Sequence, residues 1–155
     1  MRDNYSFKEI KNKFEYISQH LSEGEINFLF ITLSHYLARN IIDDLVDNVS
    51  FICFTSSKII GGRYAYYENK KEGYVIVYTH FAFKSYNKQR DHHNCVNTIL
   101  HEVAHFVLRH GICKDDNEKV EKEKEAKDLA LKWITESSPY SEEEKQMLFG
   151  SNDVQ

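Results

Sequence analysis

The chain has 155 residues and a mass of 18.3 kDa, which is enough for one domain with a sizeable core. Its 41% hydrophobic and 28% charged residues, with ten Tyr and ten Phe, exclude a disordered chain. The net charge of -4 argues against direct binding to nucleic acid or to anionic lipid. Eight His residues raise the question of a metal site.

Cysteine usage and the N-terminus predict a cytoplasmic protein. The cysteines Cys53, Cys95 and Cys113 are odd in number and lie far apart without a CxxC pair, which argues against a disulfide scaffold. The polar N-terminus lacks the apolar stretch of a secretory signal, and the most apolar segment, residues 26–33, is too short to cross a membrane. We therefore expect reduced thiols and no membrane association.

Two helices are predicted at the start of the chain. Ser6 and Ser22 each precede a Glu by three residues, which is the capping-box pattern at a helix N-terminus. Apolar residues then recur at helical spacing over residues 7–21 and 26–41.

The middle of the chain predicts a small, mostly antiparallel sheet. Residues 49–55 and 74–79 are rich in β-branched and aromatic side chains, and residues 63–67 are a weaker strand candidate. A bend at 59–62 and a polar turn at 68–73 separate these strands.

Three helices are predicted after the sheet. A polar loop over residues 84–93 leads to a helix from about Asn94, for which Gly111 supplies a C-terminal glycine. Residues 119–136 carry an apolar stripe, and Ser141 begins a short last helix.

The order of helices, sheet and helices predicts an α+β fold. Without repeats or a linker rich in Gly, Pro or Ser, we expect one domain over residues 1–155. Its core would span about 49–136, and residues 137–155 would form the short C-terminal helix and tail.

Residues 101–105, His-Glu-Val-Ala-His, form an HExxH pattern on the first of these helices. Residues four apart on a helix are separated by about 40° around the axis and about 6 Å along it, so His101 and His105 can hold one zinc ion together. Glu102 lies about 100° from His101, where it can act as general base on a metal-bound water. The flanking residues are apolar nearly all round, which predicts a buried helix.

The third ligand is not part of this pattern. His110 is about 180° round the helix from His101 and is predicted to point away from the metal. On the following helix, Glu123 lies about 50° from the centre of the apolar stripe, Glu125 about 110°, and Glu121 further still. Glu123 is therefore the first choice for the third ligand and Glu125 the second.

Residues 101–105, the following Leu-Arg-His at 108–110 and Glu-Lys-Glu-Ala at 123–126 resemble the ImmA/IrrE metallopeptidases. The resemblance covers about residues 49–135. It implies a zincin-like fold of the gluzincin type, with Zn2+ on His101, His105 and Glu123 and with Glu102 as general base. Two positions depart from the family pattern, because Ala104 replaces a usual Gly and Lys127 a usual Asn or Asp. Asp128 could take the place of that acid.

The resemblance also implies a function and a partner. Members of this family occur in bacteria and mobile elements, and some cleave a helix-turn-helix repressor encoded nearby. A zinc endopeptidase acting on a regulatory protein is therefore expected here, with a protein or peptide substrate and no DNA-binding module of its own.

Two parts of the mechanism stay open in the sequence. The oxyanion donor has several candidates by chemistry and none by motif, namely Tyr64, Tyr66, Tyr67, Tyr78, His80, His92 and His93. The substrate could pair as an added strand with residues 63–67 or with residues 74–79.

Two other functions share the same motif. In a zinc-stabilised binding module or pseudo-enzyme, Cys95, Cys113 or His93 would fill the fourth position of a structural site. A deformylase would need a Cys ligand, but the surroundings of Cys53 lack the motif that such an enzyme requires.

Overall fold

The computed structural model describes residues 3–19, 21–54, 61–65, 74–111 and 113–150. The fold is α+β. In chain order its elements are α1 (Phe7–Ile10), β1 (Glu15–Gln19), α2 (Glu23–Tyr36), α3 (Arg39–Asn48), β2 (Val49–Phe54), β3 (Gly61–Ala65), β4 (Tyr74–Tyr78), α4 (His80–Phe83), α5 (Gln89–Val107), α6 (Asp116–Glu136) and α7 (Glu142–Phe149).

The sheet has the strand order β1-β2-β4-β3. β1 pairs with β2 and β2 with β4 in parallel, and only β3 and β4 are antiparallel. The prediction of a mostly antiparallel sheet is therefore wrong. The short connection after β2 suggests a hairpin, but β3 lies at the far edge and β4 is inserted between them, a pairing order that local sequence does not encode.

The first strand, β1, occupies residues that helical spacing assigned to the first helix. α1 begins as predicted, with the Ser6 side chain accepting from the Glu9 backbone, but it ends at Ile10. Phe14 is buried, with its ring centroid 5.7 Å from that of Phe30 and 5.4 Å from that of Phe51. Pairing with β2 and this burial outweigh the helical pattern, because sheet pairing depends on the partner strand.

The second predicted helix is divided into α2 and α3. Its capping box is confirmed, since Ser22 and Glu25 exchange hydrogen bonds at the start of α2. The chain is extended at Leu37 and Ala38, which end α2 and begin α3. This break turns the chain, so that α3 leads directly into β2.

Buried residues from α2, the sheet, α5, α6 and α7 form one hydrophobic cluster. α5 lies against β3, β4 and α6, and its Ile99, Leu100, Val103, Ala104 and Phe106 are almost fully buried. α5 begins five residues before the predicted start, at Gln89, and α6 begins three residues early, capped by Asp115. Of the helices within the described ranges, none combines the length and apolar character that a membrane crossing requires.

The last helix, α7, is attached to α2 by an ion pair that we expect to make stability depend on pH. Glu144 Oε2 lies 2.9 Å from Nδ1 of His35. Burial raises the pKa of Glu144, but hydrogen bonds from His35 and Ser141 outweigh it, so the pKa lies below the usual 4.5. A carboxyl whose pKa is lower in the folded state stabilises the fold above its unfolded pKa and loses that contribution as pH falls.

We therefore expect Glu144→Gln to lower the free energy of unfolding at pH 7 by on the order of 1 kcal/mol. The difference from wild type should shrink from about pH 5 downwards, measured by urea unfolding at a series of pH values. Glu143→Gln is the control. Glu143 is exposed, and its ion-pair partner, Lys8, is also exposed and lies at the longer distance of 3.6 Å, so this pair should contribute little. A Glu144→Gln deficit that is constant between pH 7 and pH 3 would contradict the assignment.

Candidate metal centre

The two histidines of the HExxH pattern lie on the same side of α5, as the helical spacing predicts. Their Nε2 atoms are 3.2 Å apart and their ring centroids 4.7 Å apart. The His105 side chain is only 7% exposed, and that of His101 is 25% exposed. His105 therefore forms the inner wall of the site, and His101 lies nearer to solvent.

Glu123 on α6 completes a cluster of three side chains that could hold a metal ion. Its Oε2 lies 2.9 Å from Nε2 of His101, and its Oε1 lies 3.0 Å from Nε2 of His105. Zinc with bonds of about 2.0–2.2 Å at tetrahedral angles separates its ligand atoms by about 3.3–3.6 Å. The observed separations fit such an ion after a shift of a few tenths of an ångström, so this cluster could hold a metal ion.

The electrostatics of the cluster favour an ionised carboxylate. Burial raises the pKa of Glu123, but hydrogen bonds and positive charge from His101 and His105 outweigh it, so the pKa lies below its usual value. The Glu123 side chain is 51% exposed, which leaves this side of the cluster open to solvent. Solvent can therefore reach the two imidazoles from the Glu123 side.

α6 can approach α5 closely because small residues lie between them. Ala104 on α5 and Ala126 and Ala130 on α6 are fully buried, and the separation of packed helices depends on the side chains at the contact. The apolar stripe predicted for α6 is thus the face that packs inward. Glu123 lies beside it, one turn before Ala126, and reaches across to α5.

The end of α5 differs from the prediction and changes the position of His110. Leu108 is the C-terminal cap, and Arg109 has φ of 56°, in the left-handed region. The Arg109 amide donates to Phe106 and the His110 amide to His105, which together form a Schellman motif. Gly111 is therefore not the residue that ends the helix.

Arg109 takes the position that usually favours Gly, at a backbone cost of about 1–2 kcal/mol. Its guanidinium donates to both carboxylate oxygens of Asp44 at 2.9 and 3.0 Å and to the Phe106 carbonyl at 2.8 Å. It also lies 4.1 Å from the centroid of the Phe106 ring. These contacts offset the unfavourable backbone conformation.

His110 is outside the cluster of His101, His105 and Glu123, as predicted, but the prediction missed its contact with His105. The Schellman turn brings its Nδ1 to 2.9 Å from Nδ1 of His105, on the side opposite the metal-binding Nε2. Nε2 of His110 in turn lies 2.9 Å from Oε1 of Glu125. Glu125, the second choice for the third ligand, thus contacts His110, and it is Glu123 that contacts both imidazoles.

Helix projection missed this pair because it assumed that α5 continues to Gly111. A left-handed Arg carries no sequence signal comparable to that of a C-terminal Gly. Positions 127 and 128, the two considered for an acid that orients a ligand, do not provide such an acid to the cluster. Lys127 is exposed, and Asp128 pairs with Lys124 at 2.6 Å on the outer face of α6.

Glu102 is half-buried on α5, directly after His101. Burial, and then the negative charge of Glu102, raise the pKa of Tyr78 well above its usual value. Glu102 therefore lies near Tyr78, the last residue of β4. Its role in proton transfer stays a prediction.

The candidate oxyanion donors separate into three groups. Tyr78 is fully buried and donates to the Ile99 carbonyl at 2.7 Å, and the two ring nitrogens of His92 lie 2.7 Å from the Tyr86 carbonyl and from the Tyr140 hydroxyl. His93 is exposed, two helical turns before His101. The side chains of Tyr64 and His80, and the residues Tyr66 and Tyr67, lie outside the described residues.

The cluster contains three protein ligands among the residues that the structure describes. Cys95, Cys113 and His93 are not part of it, and the Cys95 thiol donates instead to the Lys84 carbonyl at 3.3 Å. Cys53 is buried, which raises the pKa of its thiol to about 12 and makes a thiolate ligand unfavourable. Within the described ranges, the cluster therefore offers three ligand atoms, none of them sulfur.

Comparisons of this chain with protein-family models, with curated proteins and with solved structures found no match.

Proposed function

We propose that the protein is a zinc-dependent endopeptidase with a single zincin-like domain, related to the ImmA/IrrE metallopeptidases. The observation that carries the proposal is the position of Glu123. An acid on the next helix lies within 3.0 Å of both imidazoles of an HExxH helix, on the side that is open to solvent. A motif alone gives two ligands, whereas this arrangement supplies three and leaves a position for water.

The residues of the site have separate roles in the proposed peptide hydrolysis. His101, His105 and Glu123 hold the metal, which when bound lowers the pKa of a coordinated water and polarises the substrate carbonyl. Glu102 accepts the proton of the attacking water and passes it to the amide nitrogen of the leaving peptide. A buried inner wall at His105 keeps bulk water on the substrate side only.

The substrate binds as an added strand at the free edge of β3. β4 pairs with β2 on one side and β3 on the other, so residues 74–79 offer no free edge. Among the described strands, β3 pairs with β4 alone, and it packs against α5, the helix that carries His101 and Glu102. Backbone hydrogen bonds to such an edge hold an extended peptide without strict sequence requirements. A flexible segment of a cytoplasmic regulatory protein, such as a helix-turn-helix repressor, fits this mode.

The proposal is tested by metal content and cleavage together. The purified protein should contain about one zinc per chain and cleave members of a peptide library generated from bacterial proteins. Dialysis against a zinc chelator should abolish cleavage, and added zinc should restore it. A zinc-loaded protein that leaves the whole library and the repressors encoded beside its gene intact would contradict the proposal.

X-ray absorption spectroscopy of the zinc-loaded protein separates the enzyme from a structural zinc site. Three protein ligands with one light-atom solvent ligand are expected for the enzyme. A sulfur ligand, or four protein ligands, would favour the binding module.

A further inference from the structure

We propose that Glu125, His110 and His105 form a hydrogen-bonded relay that presents Nε2 of His105 to the metal. Oε1 of Glu125 lies 2.9 Å from Nε2 of His110, and Nδ1 of His110 lies 2.9 Å from Nδ1 of His105. The inference rests on the zinc site proposed above. It assigns positioning roles to two residues that do not bind the metal themselves.

The direction of the relay follows from the chemistry of its outer end. An ionised carboxylate only accepts hydrogen bonds, so Glu125 requires the proton of His110 to be on Nε2. A neutral imidazole then has its lone pair on Nδ1, which accepts from Nδ1–H of His105. When a metal ion occupies the cluster in place of a proton, His105 in turn has its lone pair on Nε2, the atom that faces His101 and Glu123.

Metal binding at His105 independently requires the same direction of proton donation along the relay. A neutral His that binds a metal through Nε2 keeps its proton on Nδ1, and that proton needs an acceptor. His110 supplies the acceptor as a second imidazole, whereas metal-binding His residues usually donate to a carboxylate, a carbonyl or water. Glu125 is thus connected to His105 through an intervening ring.

Burial strengthens the hydrogen bond between the two histidines of the relay. The side chains of His105 and His110 are each only 7% exposed, and in such surroundings hydrogen bonds are stronger than in water. The Schellman turn fixes the backbone between the two rings, whose planes are inclined at 63° with centroids 5.1 Å apart. Glu125 is 52% exposed at the solvent end, so it can be replaced without opening the core.

Zinc affinity tests the relay at its exposed end. Glu125→Ala is expected to raise the zinc dissociation constant about 10- to 100-fold, measured by competition with a chromogenic chelator. Glu125→Gln should have a smaller effect, because its Oε1 can accept the same proton from His110. Glu121→Ala is the matched control, since Glu121 is exposed on the same helix and its loss changes the charge equally.

Nuclear magnetic resonance gives a readout that a purely structural role would not change. Long-range proton–nitrogen correlations of the zinc-loaded protein should place protons on Nδ1 of His105 and on Nε2 of His110. In zinc-free Glu125→Ala, where no metal fixes the proton of His105 on Nδ1, the preference of His110 for Nε2–H should be lost relative to the zinc-free wild type, while the circular dichroism spectrum stays that of the wild type.

The possible outcomes separate this inference from the proposed function. Equal zinc affinities of Glu125→Ala and Glu121→Ala, or a proton on Nδ1 of His110, would overturn the relay and leave a peptidase intact. Conversely, a protein that binds zinc with the expected tautomers but cleaves no peptide would overturn the proposed function alone. A wild-type chain that binds no zinc would overturn both.

Discussion

Replacing Glu102 by Gln is expected to abolish peptide cleavage while about one zinc per chain stays bound. Gln has the shape of Glu but cannot accept the proton of the attacking water. Loss of a general base lowers kcat by about 10²- to 10⁴-fold. KM should change little, because the metal and the free edge of β3 are unaffected. The measurement is kcat and KM on a cleaved library peptide, with zinc determined by mass spectrometry.

Two further results are needed to interpret this variant. Glu121→Gln should keep wild-type kcat, because Glu121 is exposed and outside the cluster of His101, His105 and Glu123. Loss of zinc from Glu102→Gln would show that Glu102 supports the fold or the metal instead of the chemistry. Full cleavage with zinc bound would remove Glu102 from the mechanism.

The parts of the site that could be predicted from sequence are those that helical geometry determines locally. His101 and His105 are four apart on one continuous helix, so their common direction follows from the helix itself. Glu123 was placed by its angle to the apolar stripe, and the burial of Ala126, Ala130 and Trp133 confirms that stripe. Packing of one helix face on another then brings the carboxylate to the imidazoles.

The parts that could not be predicted depend on partners distant in the chain. β1 has helical spacing in its sequence but pairs with β2, which lies more than thirty residues later. The place of β4 between β2 and β3 is likewise a property of the assembled sheet. This order places β3, and not β4, at an edge of the sheet formed by the described strands, and the substrate proposal depends on that edge.

The position of His110 depends on where α5 ends. Its helical angle would place it away from His105 only if the helix continued past Val107. Asp44 on α3 pairs with Arg109 and so helps to hold the left-handed turn that ends α5. A contact between distant elements therefore helps to place His110 against His105, and a prediction from α5 alone could not include that contact.

Removing Glu123 is expected to weaken zinc binding more than any other single acidic substitution on α6. Structural zinc sites with four ligands bind with about 10–16 kcal/mol, so one ligand contributes about 3 kcal/mol or roughly a hundredfold in affinity. Glu123→Ala should therefore raise the zinc dissociation constant at least about a hundredfold. At a zinc concentration that just saturates the wild type, cleavage should be lost.

The third ligand can be tested by comparing three variants of the same helix, Glu121→Ala, Glu123→Ala and Glu125→Ala. Each variant removes one exposed carboxylate, so the net charge changes equally along the series. We expect zinc affinity to fall in the order Glu121→Ala, Glu125→Ala, Glu123→Ala. This order follows if Glu123 binds the metal, Glu125 orients a ligand through His110, and Glu121 does neither. If Glu125→Ala were the weakest binder, Glu125 would be the third ligand, and α6 would have to rotate on α5 when the metal binds.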